Sequence, residues 1–117
     1  MIVIDAQVVV LACEESLKSG PAASNAAIAS CCNAFLRSYR VVRAKGSESD
    51  AKHAAIASYC AALPPLAGAD NIRDFIACVA YGLLLQIIEE TRGARLLYAA
   101  QVARTAAAQS PKPKPAP

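Results

Sequence analysis

The stretch that decides the fold class is Asp70-Asn71-Ile72-Arg73-Asp74-Phe75-Ile76-Ala77-Cys78-Val79-Ala80-Tyr81-Gly82-Leu83-Leu84-Leu85-Gln86-Ile87-Ile88. Ile72, Phe75, Ile76, Val79, Leu83, Ile87 and Ile88 recur at steps of three and four, the period of an α-helix. Asp70 suits an N-cap, and Asp74 suits the first turn, where a carboxylate meets the positive end of the dipole. The spacing predicts a helix over 70–88. Leu84 and Leu85 widen its apolar face, so it is expected to be the central, most buried element. Gly82 costs about 1 kcal/mol in a helix interior. With Cys78 four residues before it, one side of the helix is small, which predicts a close helix crossing there.

Working towards the N-terminus, Pro64-Pro65 stops the preceding helix, because a proline pair cannot continue one. That helix opens with Ser49 or Asp50 as a cap and runs through Ile56, Tyr59, Cys60 and Leu63. Leu66 to Ala69 reads as a loop. Before it, a helix starts near Pro21, a residue suited to the first turn. Its stripe is Ile28, Cys32, Phe35, Leu36, Tyr39 and Val42, and Gly46-Ser47 closes it. Residues 3–19 carry two signals. Val8-Val9-Val10 favours strand, while Ile4, Val8, Leu11 and Ala12 fall at helical spacing. A helix is expected, since a lone strand would have no partner, and Gly20-Pro21 ends it.

On the C-terminal side, the last helix is expected after Thr91-Arg92-Gly93, with Leu96, Leu97, Ala100 and Ala103 inward. Ala106-Ala107-Ala108 would pack thinly. Residues 110–117 alternate Pro with Lys or Ala and read as an extended, disordered tail. The expectation is an all-α domain over 1–109, a bundle of four or five helices, followed by that tail.

Composition agrees. The chain has 117 residues, of which 27 are alanine. That length holds one core, and alanine is the best helix former. The net charge is +3, and Lys112 and Lys114 supply two of those charges, so the body lacks the basic surface of a committed nucleic-acid binder. Cys13, Cys31, Cys32, Cys60 and Cys78 are odd in number, which does not fit a fully disulfide-bonded secreted domain. No basic leader precedes the first apolar residues. The longest apolar run is the eleven residues Phe75 to Leu85, too short to span a bilayer, which takes roughly 20. A cytoplasmic protein with free thiols and no membrane contact is expected.

The strongest polar feature is Arg37, Arg40, Arg43 and Lys45. Spacing by three sets the arginines along a slanting helix face that could meet phosphates or a partner's carboxylates. The plainer account is a solvated face near a helix C-terminus. No aromatic residues interleave with it for base stacking. A helix-turn-helix is disfavoured, because the helix from Asp70 is too apolar to read bases. Cys31, Cys32, His53, Cys60 and Cys78 are the metal-ligand types. However, Cys31 and Cys32 diverge by about 100° on a helix, and His53 and Cys60 lie about 10 Å apart along one. His53 with a cysteine, or Asp70 with Asp74, could resemble catalytic pairs, but no motif places them in a cleft. No catalytic residue, cofactor or metal is expected. The leading expectation is a protein–protein interaction or self-assembly module, binding a protein partner or a second copy through an alanine face. Accessory nucleic-acid binding through the arginine row comes second, and a thiol or metal enzyme third.

Overall fold

A computed structural model describes residues 5–109. The chain forms helices α1 (Ala6–Ser19), α2 (Pro21–Ser24), α3 (Ala26–Arg43), α4 (Glu48–Ala61), α5 (Ala69–Leu84) and α6 (Glu90–Gln109). The fold is all-α: five long helices and the single turn of α2, with no strand among the described residues. The expected tail at 110–117 and Ile4 lie outside those residues.

The Asp5 carboxylate starts α1 by accepting the Gln7 N–H at 2.9 Å. The helix expected here forms, but it turns a different face inward. Ala6, Val9, Cys13 and Ser16 are buried. Val8 and Leu11 are 54% and 65% exposed. Both stripes have helical spacing. The one with small side chains lets α1 close on α3.

The single helix expected from Pro21 is broken at Asn25, which is extended (φ −135°, ψ 112°). Its side-chain oxygen accepts the N–H groups of Ala27 at 2.9 Å and Ile28 at 3.1 Å, and so begins α3. Ser16 Oγ, buried on α1, accepts the Ala22 N–H at 3.0 Å and pins α2 back. Asn25→Ala removes the oxygen that satisfies two helix-end donors. It is expected to cost about 1 kcal/mol, seen as a lower urea midpoint at unchanged slope.

The centre of the bundle is α3, which packs against α1, α2, α4 and α5. This displaces the expectation that the 70–88 segment is central. Ile28, Cys31, Cys32, Phe35, Leu36 and Tyr39 of α3 are buried, and the Phe35 and Tyr39 rings stack with centroids 6.4 Å apart. Against them α4 sets Ala51, Ala55 and Tyr59, all fully buried and one turn apart. Two alanines in this row let the backbones approach closely. The Ser38 and Ser58 hydroxyls hydrogen-bond across the seam. The cap of α4 is Ser47, whose Oγ accepts the Asp50 N–H at 3.1 Å, rather than Ser49 or Asp50. The Tyr59 hydroxyl donates to the Cys78 carbonyl at 2.6 Å and ties α4 to α5.

Gly68, at φ +88°, precedes α5, so Asp70 lies inside the first turn instead of capping it. The helix ends at Leu84, four residues short of the expected Ile88. Gln86 adopts φ +59°. Its N–H donates to the Leu83 carbonyl at 3.1 Å, and the Ile87 N–H reaches the Gly82 carbonyl at 2.8 Å. These are the two bonds of a Schellman termination. It turns Ile87 and Ile88 into the core and leaves Leu84 73% exposed.

Beside Gly82 the nearest atoms are side chains, Ile88 just past the end of α5 and Tyr59 of α4, rather than the backbone of a crossing helix. A tight spot at a second glycine was not expected. α6 begins at Glu90, so Gly93 is inside the helix and lies under the side chain of Leu83. From there α6 packs along α5. Ala100 is its last buried residue, and residues 104–108 are exposed on every side.

Candidate functional site

Arg37, Arg40 and Arg43 are exposed on α3, and Lys45 is exposed in the turn after it. A step of three residues rotates about 60° round a helix, so the row spreads over about 120°. Arg40 pairs with Glu14 of α1 at 3.6 Å. Arg43 donates to the Gly46 carbonyl at 3.2 Å and closes its own helix end. Arg37 flanks a shallow depression between α3 and α4, lined also by Ala34, Ser38, Ser58, Ala61 and Ala62. The four cations therefore serve different local surroundings.

The ligand-type residues separate. His53 is exposed, and its Nδ1–H donates to the Ser49 carbonyl at 2.7 Å. Cys13, Cys31, Cys32 and Cys78 are fully buried, and Cys60 is half-buried. Among the described residues no three His, Cys, Asp or Glu side chains come together as a ligand set. Asp70 and Asp74 both face Arg73, at 3.6 and 3.5 Å.

Neighbouring Cys32, with burial, pushes Cys13 above the ordinary thiol range, and neighbouring Cys78, with burial, does the same to Cys31. Burial raises Tyr59, which keeps its proton to donate to the Cys78 carbonyl. The sequence shows the five cysteines, but the burial of four of them follows from the helix packing.

An unpacked apolar feature lies on α6. Tyr98 is 70% exposed and Val102 51% exposed. With Gln101, Thr105 and Ala106 they line a shallow depression along one side of the helix. Tyr98 and the buried Ala100 are two residues apart, about 200° round the axis. The stripe is thus on the side opposite the packed face. The i, i+4 spacing of Tyr98 and Val102 was the available signal in the sequence, masked by the stronger Leu96, Leu97, Ala100 stripe. On α4, Ala51 and Ala55 are buried against α3.

No helix among the described residues is long and apolar enough to cross a membrane. Comparison with protein-family models, curated proteins and solved structures gives no match.

Proposed function

We propose that this protein is a non-enzymatic protein–protein interaction module, that the outer face of α6 is its contact surface, and that its partner there is an amphipathic helix with carboxylates beside its apolar stripe. One observation carries this: Tyr98 and Val102 stand exposed opposite the packed face of α6. Charge selects the partner. After Glu90, α6 bears Arg92, Arg95 and Arg104 and no acid, and Arg95 is one turn before Tyr98. A second copy would set arginine against arginine, whereas flanking carboxylates would meet them. Burial at about 25 cal/mol per Å² makes so small a face worth a few kcal/mol, most of it offset by the cost of association. The contact is therefore transient, well below the roughly 1,200 Å² of a stable interface. With its five cysteines free, the module belongs in a reducing, cytoplasmic setting. No observation favours the nucleic-acid alternative, since Arg40 and Arg43 are engaged within the protein.

The test uses two labelled helical peptides with the same leucine stripe, one flanked by glutamates and one by lysines, followed by fluorescence anisotropy. The glutamate peptide is expected to bind at least about tenfold more tightly, and Val102→Asp to weaken it about tenfold. Equal binding of both peptides, or indifference to Val102→Asp, overturns the proposal. So does a wild-type dimer in light scattering that Val102→Asp disperses, which would give the face to a second copy.

A further inference from the structure

Six large apolar side chains are exposed among the described residues. Two pairs of them stand one turn apart on a single helix: Tyr98 and Val102 on α6, and Val8 and Leu11 on α1. The α1 pair belongs to a separate surface. Val8, Leu11, Glu15 and Lys18 fall within about 80° of arc on α1. All four are exposed, on the side opposite the buried Val9 and Cys13. The two ends of this face differ in sign. Exposed Asp5 caps its start, and Lys18 stands in its last turn, outside every ion pair among the described residues. Glu14, at its edge, is committed to Arg40, and Glu15 accepts the Ser19 hydroxyl at 3.1 Å.

We propose that the outer face of α1 is a self-complementary dimer surface, and that its occupant is α1 of a second copy lying antiparallel to it. Parallel pairing would set Asp5 on Asp5 and Lys18 on Lys18, with the two helix dipoles side by side in one sense. An antiparallel pair about a two-fold axis puts opposite signs together at both ends. With the axis between Leu11 and Ala12, the two Leu11 side chains meet beside it. Each Val8 then comes level with the methylene stem of Glu15 of the second copy, and each Lys18 with its Asp5. An axis moved towards the N-terminus, to stack Val8 on Leu11, would bring Asp5 level with Glu14, acid on acid. Charge therefore sets both orientation and register. Two apolar residues per copy remove less area than the roughly 1,200 Å² of a stable interface, so the dimer is reversible.

The full chain is followed by sedimentation equilibrium, with a reductant present, at concentrations up to about 1 mM. The wild type is expected to dimerise with a Kd of about 100 µM. Leu11→Asp alters an exposed side chain. It should weaken the dimer at least about tenfold and keep the helical circular dichroism of the wild type. Val102→Asp should leave the dimer unchanged, which separates this surface from the one on α6. Lys18→Asp and Asp5→Lys should each weaken it about tenfold alone. Their equimolar mixture should restore it, because each altered end then faces an opposite charge on the other variant. Lys18→Asp alone decides the charge contact if Asp5→Lys frays α1 by removing its cap. A monomer at about 1 mM, a dimer indifferent to Leu11→Asp or to Lys18→Asp, or one dispersed by Val102→Asp overturns the proposal. So does a mixture of two folded charge variants that is no tighter than either alone.

Discussion

Tyr59→Ala will cost about 3–5 kcal/mol, the largest loss expected from any single truncation in the chain. Tyr59 is the largest fully buried side chain. It fills the seam where α4 meets α3, reaches Gly82 of α5, and carries the hydrogen bond to the Cys78 carbonyl. The alanine-rich surroundings cannot collapse into the space, because Ala51 and Ala55 already hold α4 close to α3. A domain of this size has a stability of only about 5–15 kcal/mol, so the variant loses a large share of it. Tyr59→Phe keeps the volume and removes only the hydroxyl, at about 1 kcal/mol. Urea unfolding of the two variants checks both values. Equal losses would mean that the hydrogen bond, not the packing, dominates at this position.

Gly93→Val will cost about 3 kcal/mol. A Cβ at Gly93 would fall 2.4 Å from Leu83 Cδ2, 2.8 Å from Cγ and 2.9 Å from Cδ1. The whole branched head of Leu83 lies over the glycine, so turning one methyl aside does not clear the clash. Gly93→Ala also clashes, but it regains about 1 kcal/mol of helix propensity, and its net cost should be smaller, near 1 kcal/mol. Combining Gly93→Val with Leu83→Ala makes room. The pair should then be more stable than the sum of the single losses predicts, by about 1–2 kcal/mol. Simple additivity would show that α5 and α6 separate freely and that the contact is not tight.

The helices were legible because their periodicity is long and their breakers are plain: Gly20-Pro21, Gly46-Ser47 and Pro64-Pro65. What sequence missed has local causes. In α1 the small stripe and the large stripe have the same period, so spacing alone could not say that Val9 turns inward and Val8 outward. Asn25 is a good cap but sits amid strong helix formers, and only its extended backbone shows the break. The end of α5 was hidden because Gln86 takes a left-handed position where glycine usually gives the signal. Ile87 and Ile88 therefore read as two more helical residues. Of the candidate sites, the arginine row was visible at once, yet its members' partners, Glu14 and the Gly46 carbonyl, become evident only after folding. The burial of the thiols and the outer stripe of α6 depend on which helix faces which, and no local pattern encodes that.

The central position of α3 also bears on how fast the protein folds. Its neighbours in space, α1, α2, α4 and α5, are its neighbours in the chain or one step removed, and α6 joins its immediate predecessor α5. Little loop entropy has to be spent before contacts begin to form. Helical proteins with such local topology fold in microseconds to milliseconds. During synthesis, at roughly 5–20 residues per second, α4, α5 and α6 each follow the helix on which they dock.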